Sequence, residues 1–351
     1  MVDADSSNDI RNECGHTPLH LAAAKGRVNI VQKLVAAGAN TRVQDWVGET
    51  PLHKALFFWK EAAAKLLVHA DSRNSIQDTY GCTPLHYAAE KGYVKIVKKL
   101  VVSGASMCLQ DKSGCTPLHN ALYMEKRATA EFLVDLGGGN NIQNNRGHTP
   151  LHIAAEKGCV GAVKKLLMSD VCPHAVKDDQ GQYPLHVALK ERQDDVLKSI
   201  LAMCACKGIY IHWTEMELPQ DQVWRCISLL SEYYNEIRQM KNTKIGGSTV
   251  SYHDLAKYPE CKVALYLENE DIRKALDHDH VFQNFPNYVD IIAFKVKNAR
   301  KRKALTDRCK GCISVMTRKL PPLLPTCWEI VLLYLSRRDL RNFIKAAKFK
   351  D

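Results

Sequence analysis

Six histidines recur at a constant spacing and are the first side chains here that could do chemistry. Each ends a Thr-Pro-Leu-His motif, or Tyr-Pro-Leu-His in the last copy, and successive copies lie 33 or 34 residues apart. Imidazoles can bind metals or act as general bases. The regular spacing favours a structural role instead, in which a neutral imidazole donates from one ring nitrogen and accepts at the other. The six are His20, His53, His86, His119, His152 and His186.

The thirteen cysteines carry no stronger signal for catalysis or metal binding. Cys309 and Cys312 form a lone CxxC pair with no second pair at zinc-ligand spacing. Cys115 and Cys159 each lie near a motif histidine, but the repeat already explains those histidines. Phosphate loops, zinc-protease helix motifs and nucleophile elbows do not occur in the sequence. We therefore predict a protein that is not an enzyme, with no catalytic residues, no metal and no cofactor.

The segments around each histidine predict a pair of short helices. A glycine two residues before each motif suits a tight turn, the Thr is a helix cap, and the Pro suits the first helical position. After Gly26, the stretch from Val28 to Val35 has the apolar spacing of a second, amphipathic helix, and Gly38 ends it. One such unit cannot bury its own apolar face, so the units must stack.

Residues 12–206 resemble the ankyrin-repeat family through these motifs. The resemblance implies an all-α fold, with an ankyrin-repeat solenoid of about six repeats followed by a small helical C-terminal domain. We assign residues 1–11 to an N-terminal tail, 12–206 to the array, 207–244 to a helical linker and 245–351 to the C-terminal domain. The first, third and fifth repeats keep a Lys-Gly turn between their helices and the others lack it, which suggests a two-repeat period.

Ankyrin arrays bind partners on a concave surface formed by their turn tips and the exposed ends of their first helices. Aromatic, Met and Arg side chains at those positions are typical of binding hot spots. An alternative for Phe57, Phe58 and Trp59 is local packing, caused by a changed turn geometry after loss of the glycine. The predicted target-binding residues are Trp46, Phe57, Phe58, Trp59, Tyr80, Tyr123, Met124 and Arg146.

The C-terminal part resembles the PRANC domain, which contains F-box-like helices at 320–350. That domain follows ankyrin repeats in poxvirus proteins and also occurs in parasitoid wasps and endosymbiotic bacteria. The resemblance is carried by the stretch Gly247 to Leu255, a Leu-Pro, an apolar helix ending in Tyr-Leu, and a following Asp-Leu. It implies binding to the Skp-type subunit of a cullin–RING ubiquitin ligase through Leu324, Pro325, Ile330, Leu332, Leu333, Leu335, Asp339 and Leu340.

Two functions follow from these resemblances. In the first, the array binds a target protein and the C-terminus recruits it to the ligase, so the chain is an adaptor. In the second, the chain is a stoichiometric decoy that sequesters a host signalling protein, such as one of the NF-κB pathway, without ligase recruitment. A terminal helix that docks on its own domain would favour the decoy, because a decoy needs no exposed Skp-binding surface.

The net charge of +11 is concentrated near the C-terminus. The stretch from Lys295 to Lys319 contains ten Lys or Arg residues and one acidic residue, which gives it a local charge of +9. Arg300 to Lys303 suits a nuclear localisation signal or, alternatively, a solvated helix face. A basic stretch without a recognition motif does not predict nucleic-acid binding. With no signal peptide and no apolar run long enough to cross a membrane, we expect an intracellular monomer that acts in the cytoplasm or nucleus.

Overall fold

The computed structural model describes residues 10–70, 75–169, 176–207, 218–258, 260–277, 285–316 and 340. Within these ranges every regular element is a helix, and the one β-type pairing is an isolated bridge between Lys244 and Ser251. The chain divides into two compact units, Met1–Ile200 and Leu201–Asp351. The predicted all-α class is therefore confirmed.

The described part of the first unit consists of antiparallel helix pairs, one for each motif. Neighbouring first helices pack against each other, as α1 does on α3 and α3 on α5. Their alanines, including Ala55, Ala88 and Ala121, are completely buried and let the helices approach closely. The pairs are α1 (Pro18–Ala24) with α2 (Val28–Ala36), α3 (Pro51–Phe57) with α4 (Glu61–Ala70), α5 (Pro84–Lys91) with α6 (Val94–Val102), α7 (Pro117–Tyr123) with α8 (Arg127–Asp135), α9 (Pro150–Glu156) with α10 (Val160–Met168), and α11 (Pro184–Lys190) with α12 (Asp194–Lys207).

The motif itself explains where each first helix begins. The backbone N–H of His20 donates to Oγ1 of Thr17 at 3.4 Å, and the N–H of Thr17 donates to Nδ1 of His20 at 3.1 Å. Histidine thus fills the place that Glu or Gln holds in an ordinary capping box. Pro18 opens the helix, where its missing N–H leaves no hydrogen bond unmade. The same capping box recurs in the next four repeats.

The turn between the two helices of a repeat has the same left-handed backbone in all six repeats. Odd repeats place glycine there, while even repeats place Trp59 (φ 63°), Glu125 (φ 51°) and Arg192 (φ 54°). Residues with a side chain rarely adopt this conformation. The explanation of the aromatic cluster by a changed turn geometry is therefore wrong, because the turn keeps its geometry and its residue is strained. The corresponding glycines are Gly26, Gly92 and Gly158.

Replacing Glu125 by Gly is expected to raise the free energy of unfolding by about 1 kcal/mol, because it removes the strain of a positive φ. Gly92→Ala is the matched opposite change and is expected to lower the free energy of unfolding. It gives a side chain to a residue with a φ of 79° and places the new Cβ 3.0 Å from Cδ of Lys126. Urea unfolding of both variants measures the effect. A lower midpoint for Glu125→Gly than for the parent chain would contradict it.

The second unit, in its described residues, is built from helices around a core of aliphatic side chains and a few buried tyrosines. Tyr288 is completely buried, packs edge-on against Tyr233, and donates its hydroxyl to the carbonyl oxygen of Ala202 at 3.1 Å. The helices that lie wholly in this unit are α13 (Gln220–Asn242), α14 (Tyr252–Lys257), α15 (Glu260–Tyr266), α16 (Glu270–Asp277) and α17 (Val289–Met316).

The segment 220–242, which the sequence assigns to a helical linker, forms the helix α13, and one face of this helix is buried in the second unit. Glu236 of α13 accepts hydrogen bonds from the backbone N–H of Asn287 at 3.0 Å and from its side-chain amide at 2.6 Å. Burial raises the pKa of this carboxyl group, although the bonds to Asn287 oppose the rise. The helix α12 continues across residue 200, where the chain divides into its two compact units.

The basic run Arg300 to Lys303 lies inside α17. Arg302 is buried, whereas Arg300 is exposed and pairs with Asp277 at 2.6 Å. The run is therefore helical in the folded chain, as expected if it forms a helix face. One of its cations, Arg302, nevertheless lies in the interior and not in solvent.

Candidate functional site

The turn tips of the array form a continuous hydrogen-bonded row. From the second repeat on, a buried or half-buried Asp or Asn in each turn accepts two backbone N–H groups, as Oδ1 of Asp45 does from Val47 and Glu49 at 2.9 Å. The preceding Gln reaches the next repeat: Nε2 of Gln44 donates to the carbonyl oxygen of Gln77 at 3.0 Å. These residues were not among those predicted to be functional, although the dipeptide Gln-Asp or Gln-Asn recurs with the same spacing as the histidines.

The repeat histidines join neighbouring repeats. Since Nδ1 of His20 accepts the N–H of Thr17, its Nε2 carries the proton and donates to the carbonyl oxygen of Glu49 at 2.9 Å. Equivalent bonds of 3.1 to 3.2 Å link the next four histidines to the following repeat. With both ring nitrogens engaged, these imidazoles have the structural role that the sequence favoured.

Burial lowers the pKa of these histidines. The pKa falls to about 4 at His53 and at His119, and it is also lowered at His20, His86 and His152. Hydrogen bonds to backbone carbonyls and nearby carboxylates oppose the fall but do not cancel it. The neutral form is therefore the one that the fold stabilises.

Phe57, Phe58, Trp59, Lys91 and Tyr93 form one cluster, which we call the aromatic edge. Phe57 meets Phe58 edge-on at 5.0 Å between ring centroids, and Trp59 meets Tyr93 at 6.4 Å. The Lys91 ammonium lies 4.9 Å from the Trp59 ring centroid, within cation–π range. The rings of Phe57, Phe58 and Trp59 nevertheless stay 47%, 46% and 61% exposed. Local packing thus accounts for part of this cluster and leaves a large apolar surface in solvent.

Apolar and charged repeats alternate along this side of the array. Tyr123 and Met124 of the fourth repeat stand where Phe57 and Phe58 stand in the second. In the third and fifth repeats the same two positions hold Glu–Lys pairs, Glu90 with Lys91 and Glu156 with Lys157, each 2.8 Å between nitrogen and oxygen. The two-repeat period seen in the sequence therefore corresponds to two apolar patches separated by an ion pair.

The remaining predicted target-binding residues differ in their exposure to solvent and in the contacts they already make within the chain. Tyr80 and Met124 are exposed. Trp46 is exposed too, but its Nε1–H donates to the carbonyl oxygen of Glu13 at 2.9 Å and its ring lies beneath the Arg11 guanidinium. Tyr123 is half-buried, and its hydroxyl accepts from Nδ2 of Asn144 at 3.1 Å.

A buried ionic cluster underlies the tips of the second and third repeats. Lys54 pairs with Oδ2 of Asp45 at 2.8 Å and with Oε2 of Glu49, and Tyr87 donates its hydroxyl to Oδ2 of Asp78 at 2.8 Å. Burial opposes charge on Lys54, but its bonds to the two carboxylates prevail and raise its pKa. The carboxylates therefore hold a buried cation in place.

Arg146, the last predicted target-binding residue, is exposed and lines a groove between the fifth and sixth repeats. The groove has a volume of about 460 Å³ and a mainly charged lining. Asp178 lies in its wall, with a side chain that is almost completely buried. The sequence did not single out this position.

The predicted ligase-binding residues Leu324, Pro325, Ile330, Leu332, Leu333, Leu335 and Asp339 lie outside the described residues. Leu340 is described and is completely buried. Its side chain is therefore not exposed to a partner in this structure.

No group of three His, Cys, Asp or Glu residues able to hold a metal ion is found in the described ranges. Over the same ranges, none of the helices combines the length and apolar character needed to cross a bilayer.

A family model described as ankyrin repeats (3 copies) matches residues 1–78, 59–138 and 128–211, more than half of the chain. An ankyrin repeat domain from Acinetobacter baumannii AYE is 27% identical, with 53% of this chain and 97% of that chain covered and a TM-score of 0.49. The ankyrin repeat domain of Bcl-3, a member of the IkappaB protein family, is 28% identical, with 55% and 85% covered and a TM-score of 0.49. No curated protein matches the sequence.

Proposed function

Because the chain belongs to the ankyrin-repeat family, we propose that it is a non-catalytic adaptor that recruits a target protein to a Skp–cullin–RING ubiquitin ligase. Ankyrin repeats indicate a role in protein–protein interaction. The aromatic edge carries the target-binding half of the proposal. Its three exposed rings lie side by side, and such surfaces on soluble proteins usually meet a partner.

The strain at Trp59 supports the same assignment. Three other repeats show that glycine satisfies this turn, yet the second repeat keeps a large aromatic side chain at a positive φ. Strained backbone of this kind concentrates at functional sites. A residue that costs stability and exposes its ring is best explained by a contact made outside the chain.

The ligase half of the proposal rests on the sequence resemblance of residues 245–351. Its alternative, a decoy that sequesters the target without a ligase, is favoured by one observation, the burial of Leu340. A ligase-binding helix must expose its apolar anchors, whereas a helix docked on its own domain buries them.

Affinity purification of the full chain from cells tests the two halves separately. Replacing both Leu332 and Leu333 by Asp is expected to remove the Skp-type and cullin subunits and to leave the target bound, because charge in a desolvated contact abolishes it. Replacing both by Met is the matched control, which keeps apolar volume at each site.

Unchanged thermal unfolding of the Asp variant shows that it is folded. If the parent chain captures a target but no ligase subunit, the chain is a decoy. If the folded Asp variant still captures the ligase, these leucines are not the anchors.

A further inference from the structure

Helix α13 of the second unit has a row of large side chains in solvent. Trp224, Ile227 and Tyr234 are 68%, 38% and 47% exposed. Together with the exposed Ser231 they are spaced three or four residues apart, so the four side chains share one face of the helix. Within the part of the chain that the structure describes, the two aromatic side chains make no ring contact and no side-chain hydrogen bond. We call these four residues the α13 stripe.

The helix packs into its own unit through a different face. The buried side chains on that face are Cys226, Leu230, Tyr233, Ile237 and Met240. At about 3.6 residues per turn, their row lies about a third of a turn away from the α13 stripe. The stripe therefore plays no part in the described core of the second unit. A contiguous apolar surface of this kind on a soluble protein marks a contact with a partner.

The stripe is complementary in size to a second copy of itself that runs in the opposite direction. Antiparallel packing places Trp224 of each copy beside Tyr234 of the other, and Ile227 of each beside Ser231 of the other. Each large ring then meets a ring, and the branched side chain meets the smallest one, so the layers have similar volumes. In a parallel pair the two Ser231 side chains would face each other and leave a gap between two layers of larger residues.

The charges at the two ends of the stripe favour the same arrangement. Asp221 is exposed one turn before Trp224, and Arg238 is exposed one turn after Tyr234. Neither forms an ion pair within the described ranges, and the stripe between them is uncharged. Antiparallel copies bring Asp221 of each close to Arg238 of the other. Parallel copies would instead bring like charges together, and charges that flank a helix pair determine its orientation in this way.

We propose that the chain forms a twofold-symmetric homodimer in which the α13 stripes of two copies pack antiparallel. The interface is isologous, because the same surface of each copy contributes to it. From Asp221 to Arg238 the contact is only about 27 Å long, so we expect a reversible dimer with a Kd in the micromolar range. The sequence predicted a monomer. The dimer does not depend on the proposed function, since an adaptor and a decoy would each gain a second array.

Sedimentation equilibrium of the full chain, at concentrations from about 1 to about 200 μM, tests the dimer. The mass of the parent chain is expected to rise from that of a monomer to that of a dimer. Ser231→Arg is expected to stay monomeric, because it places a cation against Ile227 of the other copy. Its side chain is exposed, so the fold tolerates the change. Glu232→Arg is the matched control, since residue 232 is exposed on the same helix but lies off the stripe.

A second test addresses the orientation of the two helices. Arg238→Asp reduces the positive net charge of the chain, so general repulsion between copies falls. The antiparallel pairing predicts the opposite result, a Kd about tenfold higher at low salt, because two attractive contacts in each dimer become repulsive. Adding Asp221→Arg to this variant restores both the parent net charge and the opposite-charge pairing. The double variant is therefore expected to recover the Kd of the parent chain.

Three outcomes would overturn the proposal. A parent chain that is monomeric at every concentration would show that the stripe meets something other than a second copy. A dimer that persists in Ser231→Arg would place the interface elsewhere on the chain. A Kd that Arg238→Asp leaves unchanged or lowers, or that the double variant does not restore, would exclude the antiparallel pairing. Target capture by Ser231→Arg is expected to persist in every case, so these outcomes leave the proposed function untouched.

Discussion

Lowering the pH from about 7 to about 5 is expected to reduce the free energy of unfolding of the array by several kcal/mol. Burial lowers the folded-state pKa of at least five repeat histidines, to about 4 at His53 and His119. The unfolded chain then binds protons first as the pH falls below about 6.5. The contribution of these histidines to the free energy of unfolding is therefore fully present above about pH 6.5 and is lost between about pH 6.5 and about pH 4.

The size of the effect follows from the two largest shifts. A histidine with a pKa of about 6.5 unfolded and about 4 folded loses about 2 kcal/mol at pH 5. His53 and His119 together thus remove about 4 kcal/mol, a large part of the stability of an ordinary domain. Burial opposes the charge of Asp45, but its bonds to Lys54 and to backbone N–H groups lower its pKa, so its contribution is lost only below about 4, outside this window.

Hydrogen exchange of the full chain at several pH values measures this loss separately for the peptides of each unit. His53→Gln is the matched variant, because its amide retains a donor and an acceptor but does not titrate. Unfolding of this variant at pH 5 should therefore take up about one proton fewer than unfolding of the parent chain. Protection of the array that is the same at pH 7 and pH 5 would contradict the proposed role of these imidazoles.

Trp59→Gly is expected to weaken capture of the target at least 30-fold and to leave the array as stable as before. Loss of a hot-spot tryptophan typically costs 2 kcal/mol of binding or more, which corresponds to about that factor. Glycine also relieves the positive φ at this turn, a gain of about 1 kcal/mol that offsets the lost contacts with Lys91 and Tyr93.

Titration of the captured target against each purified variant gives the affinities, and urea unfolding gives the stabilities. Arg192→Gly is the control, because it relieves the same strain in the sixth repeat without touching the aromatic edge. We expect it to raise stability and to keep target affinity. Parent-like affinity of Trp59→Gly would show that the aromatic edge does not contact the target.

The fold was predictable because each level of the sequence agrees with the others. Thr-Pro-Leu-His specifies a cap, a helix start and an inter-repeat hydrogen bond at once, so one motif at a fixed spacing determines the whole array. The division between the two compact units was less predictable. The helix α12 has no glycine or proline at residue 200, so no local signal in the sequence marks that division.

The residue types of the candidate surface were predictable from the sequence, but the contacts between their side chains were not. The exposure of Phe58 and Trp59 follows from their position in the repeat. The approach of Lys91 to the Trp59 ring depends on side-chain conformations, and the position of Lys91 alone does not reveal it.

The hydrogen bonds between repeats also bear on how the chain folds. The histidine and glutamine links join residues 29 to 34 positions apart, as His20 joins Glu49 and Gln143 joins Lys177. The entropic cost of closing a loop is lower for links of this length than for links across a whole domain, and arrays with only nearest-neighbour contacts fold from a local nucleus. Each repeat therefore completes its bonds once about one further repeat has been synthesised, so the array is expected to assemble progressively from its N-terminus as the chain leaves the ribosome.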